Sequence, residues 1–203
     1  MAVYNLTADA DVFTCNAYLV VGAEPTLVDA GAAPGIVDAV REHVDTLSRV
    51  VLTHQHPDHV GELAAVLSAF DPDLYAHGDH PERTHALADG QELLVGDDTV
   101  EVVHTPGHAD DHVSLLGEQT LFSGDLVVYN DGAFEDGSFG RTDAAGQSRE
   151  QLIDSIRKLL TRLPDGVETL HAGHGDSYTG DVRAVIERAL DRAERRQPKY
   201  DNS

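Results

Sequence analysis

The sequence has almost no sulfur and little aromatic mass: Cys15 is the only cysteine, Met1 the only methionine, tryptophan is absent, and aromatic residues make up 5% of the chain. One cysteine excludes an internal disulfide and matches a reducing compartment, so a cytoplasmic location is expected. No apolar run approaches the roughly 18 residues that a membrane span requires. The first nine residues carry neither a basic stretch nor a long apolar one, so no signal peptide and no membrane partner are expected. Lysine occurs only at Lys158 and Lys199, and 14 basic residues face 36 acidic ones, a formal net charge of −22. Nucleic-acid binding depends on Lys and Arg neutralising phosphates, so this balance argues against a nucleic-acid partner. A charge this large, spread along the chain, destabilises the compact state by self-repulsion unless salt screens it. At about 1 M salt the screening length is about 3 Å, and the expectation is a salt-rich cytoplasm, as in a halophilic microbe.

What the chain holds instead is histidine, 12 residues in all. The densest group is Thr53-His54-Gln55-His56-Pro57-Asp58-His59, which follows the apolar run Val50-Val51-Leu52. Four of those seven side chains can bind a metal. An extended backbone turns residues i and i+2 to the same side, so His54 and His56 can present imidazoles to one point as the strand ends. Pro57 fixes its own φ and removes a donor, which suits a turn out of a sheet. Val60, Leu63, Ala64 and Leu67 then recur at helical spacing, placing the donors at a strand-to-helix junction. Two imidazoles with an adjacent carboxylate and imidazole suit a two-metal site, but each ion takes about four N or O ligands. Further ligands must come from elsewhere in the chain.

A chain of 203 residues fits one domain, able to bury about 70% of the surface its unfolded form exposes. No composition break divides it, so residues 1–203 read as a single domain whose last residues, 197–203, fray. Residues 16–21 and 25–29 read as a hairpin. Pro34 suits the first turn of a helix with Ile36, Val37, Val40, Val44 and Leu47 as its apolar positions. Residues 49–53 form the strand that delivers the histidines, and a helix runs from about Val60 to near Phe70. After a short strand at Leu74-Tyr75-Ala76, residues 77–85 hold three histidines in a segment that reads as a solvated loop. Residues 93–95 with 99–103, and 113–116 with 120–122, are two more hairpins. Residues 127–146 lack a sustained period and read as a long functional loop. Ser148 and Gln151 give a capping-box signal ahead of a helix through Leu163. Residues 167–170 read as a strand and residues 181–196 as an amphipathic helix. Hairpins mixed with separate amphipathic helices place the fold in the α/β (α+β) class, with α and β layers packed together.

His54-Gln55-His56-Pro57-Asp58-His59 matches the pattern H-x-H-x-D-H. Around it stand Leu27-Val28-Asp29-Ala30-Gly31, Thr105-Pro106-Gly107-His108, Ser123-Gly124-Asp125 and Ala172-Gly173-His174-Gly175. By these ordered motifs, which cover nearly the whole chain, the sequence resembles the metallo-β-lactamase superfamily. The resemblance implies a four-layer αββα sandwich with metals at one edge between the two sheets. It implies a first metal on His54, His56 and His108, a second on Asp58, His59 and His174, and Asp125 bridging them. The cofactors would be two Zn2+, with Fe or Mn as alternatives. Periodicity alone does not separate His108 from His104 and His112; the Thr-Pro-Gly turn of the motif selects His108. His171 competes with His174, whose flanking glycines permit close backbone approach and favour it. Asp29 looks like the family's aspartate that holds a ligand or the hexapeptide loop by hydrogen bonds; its other reading is a strand-end cap.

Ser123-Gly124-Asp125, followed by Ser138-Phe139-Gly140-Arg141-Thr142-Asp143, a helix, Leu163-Pro164-Asp165 and the His174 motif, looks like the short, single-domain glyoxalase II-like thioesterases. The resemblance implies hydrolysis of a small-molecule thioester by hydroxide, which two ions roughly 3.5–4 Å apart supply near neutral pH. Asp58 would be the catalytic residue that orients the nucleophile. Arg141 reads either as a bidentate fork for a substrate carboxylate or as a brace of the long loop. The long-form relatives carry an additional helical C-terminal region that contributes to glutathione binding. Here one helix follows His174, which leaves other small thiols open. Rival readings are an iron persulfide dioxygenase with one ion on His54, His108 and Asp125, a lactone or β-lactam hydrolase, and a metal-binding module without turnover. His56 stands where flavodiiron relatives carry glutamate, which argues against an electron carrier.

Overall fold

The computed structural model describes residues 2–199. The chain divides into two compact units, Met1–Val102 and Val103–Ser203. In the first unit six strands form one sheet in sequence order: β1 (Ala2–Asn5), β2 (Tyr18–Val21), β3 (Thr26–Val28), β4 (Arg49–Val51), β5 (Asp73–Ala76) and β6 (His85–Ala86). β2 and β3 form the expected antiparallel hairpin, whereas β3, β4 and β5 are parallel. Parallel neighbours need a crossover, supplied by α1 (Ile36–Arg41) and then by α2 (Pro57–Val60) and α3 (Leu63–Phe70). Leu19, Leu27, Val50 and Leu74 from the strands pack with Ile36, Val40, Leu63 and Val66 from the helices in one core.

Two expected helices differ in extent. The helix from about Val60 is two helices, because the Glu62 amide donates to Gly31 O at 2.9 Å and interrupts the ladder. α1 stops at Arg41, and Leu47, read as its last apolar position, reaches the same core from beyond it.

β7 (Glu92–Val95) and β8 (Asp98–His104) form the second expected hairpin, and the unit boundary falls within β8. β9 (Val113–Leu116) and β10 (Thr120–Gly124) form the third. β11 (Val127–Val128) and β12 (Ser138–Phe139) make a two-stranded ribbon inside the segment expected as an irregular loop. α4 (Arg149–Arg162) is capped as expected, with Ser148 Oγ accepting from Gln151 N at 3.3 Å. It leads to β13 (Thr169–Ala172), β14 (Tyr178–Thr179) and α5 (Val182–Glu194). The second sheet has the order β14-β13-β10-β9-β8-β7, with β10 and β13 parallel. The core of the second unit joins Leu121, Leu126 and Leu170 to Leu152, Ile156 and Leu159 of α4 and to Val185, Ile186 and Ala189 of α5. Of the terminal residues expected to fray, 200–203 lie outside the described residues; Lys199 donates to Phe139 O at 2.6 Å and pairs with Asp131 at 2.7 Å. Among the described residues no helix is long and apolar enough to cross a membrane.

Candidate metal centre

In the first unit the parallel register sets Val28 opposite Val51, so both strands release the chain at the same end of the sheet. There Asp29 takes a left-handed φ of 58°, a conformation that aspartate tolerates better than most residues. Its buried carboxylate turns onto the histidine segment: Oδ1 accepts from Thr53 N at 2.8 Å and Oδ2 from Thr53 Oγ1 at 2.7 Å. Oδ2 also lies 2.8 Å from His59 Nδ1. With Nδ1 donating to the carboxylate, His59 keeps Nε2 as the lone-pair nitrogen, the form a metal ligand requires. Pro57 opens α2, and His59 N donates to His56 O at 2.9 Å. Asp58 and His59 therefore leave one turn, with Asp58 Oδ2 3.9 Å from His59 Nε2. His54 Nε2 lies 3.0 Å from His56 Nδ1, so the alternate residues of the strand end do converge.

In the second unit β10 and β13 run parallel with an irregularity between Phe122 and Gly124, and Gly173 N donates to Gly124 O at 2.9 Å. Their ends deliver Asp125 and His174. Asp125 is buried, and its Oδ2 lies 3.3 Å from His108 Nε2 and 3.5 Å from His174 Nε2. One carboxylate oxygen thus stands beside two imidazoles. His108 Nδ1 donates to Arg141 O at 2.9 Å, which again turns a lone-pair Nε2 outward. Asp125 N donates to His112 Nε2 at 2.9 Å, so the buried His112 carries its proton on Nδ1 and gives it to Thr105 Oγ1 at 2.8 Å. His112 braces the main chain of Asp125.

Two glycines make this approach sterically available. A Cβ at Gly140 would stand 1.8 Å from Asp125 O and 3.0 Å from His108 Nδ1. Gly175, at φ 77°, would bring a Cβ within 2.1 Å of Tyr129 O. The competing histidines have partners of their own: His104 Nε2 bonds to Asp110 O at 2.9 Å, and His171 stacks on Phe122 with Nδ1 3.0 Å from Ser177 Oγ. Burial pushes the His171 pKa down to about 4. In the 77–85 segment, His77 bonds to Leu87 O and His85 stacks on Tyr75.

Arg141 gives its guanidinium to both oxygens of Asp143, at 3.0 Å each, while its carbonyl supports His108. The residue to which sequence reasoning gave no role is Thr53, whose amide and hydroxyl both fasten to Asp29. The available signal was its place at the end of the strand neighbouring Asp29.

Within each unit these donors suit a borderline-soft divalent ion. Neutral imidazole nitrogen and carboxylate oxygen are the donors used by zinc, iron and manganese. Two ligand atoms on one tetrahedral ion stand about 3.3 Å apart, given bonds of about 2.0–2.1 Å. The spacings about Asp125 Oδ2, 3.3 and 3.5 Å, are close to that edge. Ligand atoms of His54 and His59, of Asp58 and His59, and of Cys15, Asp29 and His59 lie within 4.8 Å of one another.

Two sheets of mixed strands, crossover helices and His/Asp clusters able to hold a metal define a class of metal-binding α/β proteins. The sequence profile of the metallo-beta-lactamase superfamily matches residues 10–92 and 76–196, and the chain belongs to that superfamily and has its fold. It is 33% identical over 150 residues to hydroxyacylglutathione hydrolase 2 of Vibrio vulnificus, covering 72% of this chain and 55% of that protein. It is 29% identical over 195 residues to the atrochrysone carboxyl ACP thioesterase of Aspergillus fumigatus, covering 90% of this chain and 57% of that protein. The chain thus spans about half the length of these curated relatives. Among solved structures, ETHE1 from Myxococcus xanthus superposes with a TM-score of 0.73 at 26% identity, covering 89% of this chain and 80% of that one. TTHA1623, solved in a di-iron-bound form, superposes with a TM-score of 0.68 at 29% identity, covering 88% of this chain and 98% of that one.

Proposed function

We propose that this protein is a dinuclear-metal hydrolase of a small thioester, in the manner of the hydroxyacylglutathione hydrolases. The observation that carries the reading is the pair of imidazoles set 3.3 and 3.5 Å from one oxygen of Asp125, an arrangement suited to a carboxylate shared by two ions. His54, His56 and His108 would hold the first ion and Asp58, His59 and His174 the second. When bound, such ions supply hydroxide near neutral pH and polarise an ester-like carbonyl. Zinc fits the donors, with iron or manganese as the alternatives.

The chain's own residues set the geometry. Asp29 and the Arg141 carbonyl fix the tautomers and ring planes of His59 and His108, and His112 fixes the main chain of Asp125. Asp58, partly open to solvent, accepts a hydrogen bond from the attacking water and orients it. No serine or cysteine nucleophile takes part. The relatives' names, a hydroxyacylglutathione hydrolase and an acyl-carrier thioesterase, support a thioester as substrate.

The test is elemental analysis of the purified protein together with turnover of a chromogenic thioester, for wild type, His56→Ala and Asp125→Asn. About two metal ions per chain, with activity lost in both variants, is the expected result. One iron per chain with oxygen uptake on a persulfide would replace the reading by a dioxygenase, and variants as active as wild type would remove the proposed chemistry. A net charge of −22 and a single cysteine fit a reducing, salt-rich cytoplasm as the working medium. The melting temperature should then be higher in about 1 M KCl than in dilute buffer, because the screening length falls to about 3 Å; no rise would count against that medium.

A further inference from the structure

Four of the chain's 14 basic residues line one cavity of about 250 Å³ in the second unit: Arg141, Arg149, Arg196 and Lys199. In a chain with 36 acidic residues this gathering runs against the composition. Three of the four have carboxylate partners: Arg141 has Asp143, Arg196 has Glu150, and Lys199 has Asp131. Arg149 has none among the described residues. Its Nε donates to Thr142 Oγ1 at 2.6 Å and its guanidinium lies 4.0 Å over the Phe139 ring. Its plane is therefore set while its Nη hydrogens keep no protein acceptor among the described residues. Burial, and after it the nearby Arg196, push the Arg149 pKa below its usual value, against the weaker opposing pull of Glu150 and of Asp143, which also lines the cavity. Like charges held together cost free energy that a bound anion would offset.

Arg149 is also the first residue of α4, a helix of 14 residues whose N-terminal dipole adds to the positive potential. The cations come from three separate segments of the chain. A carboxylate is satisfied by one guanidinium fork, whereas a phosphate offers oxygens in several directions. Arg141, on the cavity wall, supports His108 through its carbonyl, so the cavity adjoins a proposed metal ligand.

We propose that this cavity is a subsite for a phosphate group carried by the substrate, so that the thioester hydrolysed is one of a phosphorylated thiol. This rests on the thioesterase reading above, and the experiment separates the two. Pyrophosphate is titrated by calorimetry at low ionic strength into wild type, Arg149→Gln, Arg196→Gln and Arg157→Gln. Arg196 is exposed, so its variant keeps the fold even where Arg149→Gln does not. Arg157 pairs with Asp154 and Glu194 outside the cavity and controls for bulk charge. Binding should weaken roughly tenfold or more in the two cavity variants and stay unchanged in Arg157→Gln.

With metal-loaded wild type, the KM for an acyl-coenzyme A should be lower than for the phosphate-free acyl-pantetheine, and Arg196→Gln should close that gap. No pyrophosphate binding by wild type, or equal weakening in Arg157→Gln, overturns the subsite. Binding that depends on the cavity arginines together with a KM indifferent to phosphate overturns the substrate-borne source and leaves a site for a free anion. Cavity-dependent binding with no turnover of either thioester overturns the thioesterase reading and keeps the anion site.

Discussion

The two units supply their donors in opposite ways. The first carries His54, His56, Asp58 and His59 within six residues of one loop, and a single carboxylate, Asp29, clamps that loop through Thr53 and His59. The second draws His108, Asp125 and His174 from three separate segments, and a main-chain group enters each hold: the Arg141 carbonyl on His108, the Asp125 amide on the His112 ring, and the Gly173 amide on Gly124 O where β10 and β13 end. A local cluster depends on one side chain, whereas a dispersed one depends on the register of the sheet that delivers it. The difference is testable because the two designs should fail differently under single substitutions.

The largest effect should come from Asp29→Ala. It takes the acceptor from the buried Thr53 amide and His59 Nδ1 and leaves the Thr53 hydroxyl with its longer contact to His54 Nδ1, at 3.2 Å. Each buried neutral donor left without its acceptor costs about 1–3 kcal/mol, a loss to be summed over these groups and read from urea denaturation of the apoprotein. Metal affinity should fall about 10–100-fold as the His59 ring loses its orientation. A loss below about 1 kcal/mol, the scale of one ordinary hydrogen bond, would show that the clamp is spread over other groups and would erase the contrast between the units.

In the second unit the supporting side chain, His112, grips a main-chain amide and not a proposed ligand's ring, and the weak point is a close approach. Gly140→Ala would place a methyl 1.8 Å from Asp125 O and 3.0 Å from His108 Nδ1. The backbone must shift, at about 1–3 kcal/mol on the scale of overpacked interiors. Metal content should drop more than stability does, because the displaced groups are the proposed ligands and not the core. Equal losses in both would mean that Gly140 serves packing alone.

The same contrast explains what could be read from the sequence. The hexapeptide was legible on elementary grounds, since alternation on a strand and a proline-led turn place its donors without knowledge of the rest. The dispersed set was not: His104, His108 and His112 are equivalent by spacing, and only the family motif separated them. The hairpins and the α4 cap were legible because turn and cap chemistry is local. β1, β6, β11, β12 and β14 were missed because they are two to four residues long and partner-dependent, too short for a period to show. The long loop was read for its side chains, whereas the atom that reaches His108 is the Arg141 carbonyl, and no side-chain pattern announces a carbonyl.

A smaller effect is expected at His112. Replacing it by phenylalanine leaves the Asp125 amide without its acceptor and Thr105 Oγ1 without its donor, a cost of about 1–3 kcal/mol. His112→Gln, which can still accept from Asp125 N, should recover part of that stability and most of the metal affinity. If glutamine is no better than phenylalanine, the ring's shape matters and its hydrogen bond does not, and His112 belongs to packing instead of to the support of Asp125.

The finest distinction concerns His171 and His174, three residues apart, both half-buried, with different neighbours. His171 is stacked on Phe122, and burial pushes its pKa down to about 4, below the ordinary value of 6.5. Its neutral form is therefore favoured by the folded state, and the unfolded chain takes up the proton more readily at any pH between those values. The contribution to stability is complete above about pH 6.5 and is lost as the pH falls towards about 4. Wild-type apoprotein should therefore lose more melting temperature between neutral and mildly acidic buffer than His171→Gln, which has no proton to bind. A glutamine variant with the same acid sensitivity would assign the loss to other groups. It would also remove the ground for treating His171 as a structural ring set apart from His174, the proposed ligand.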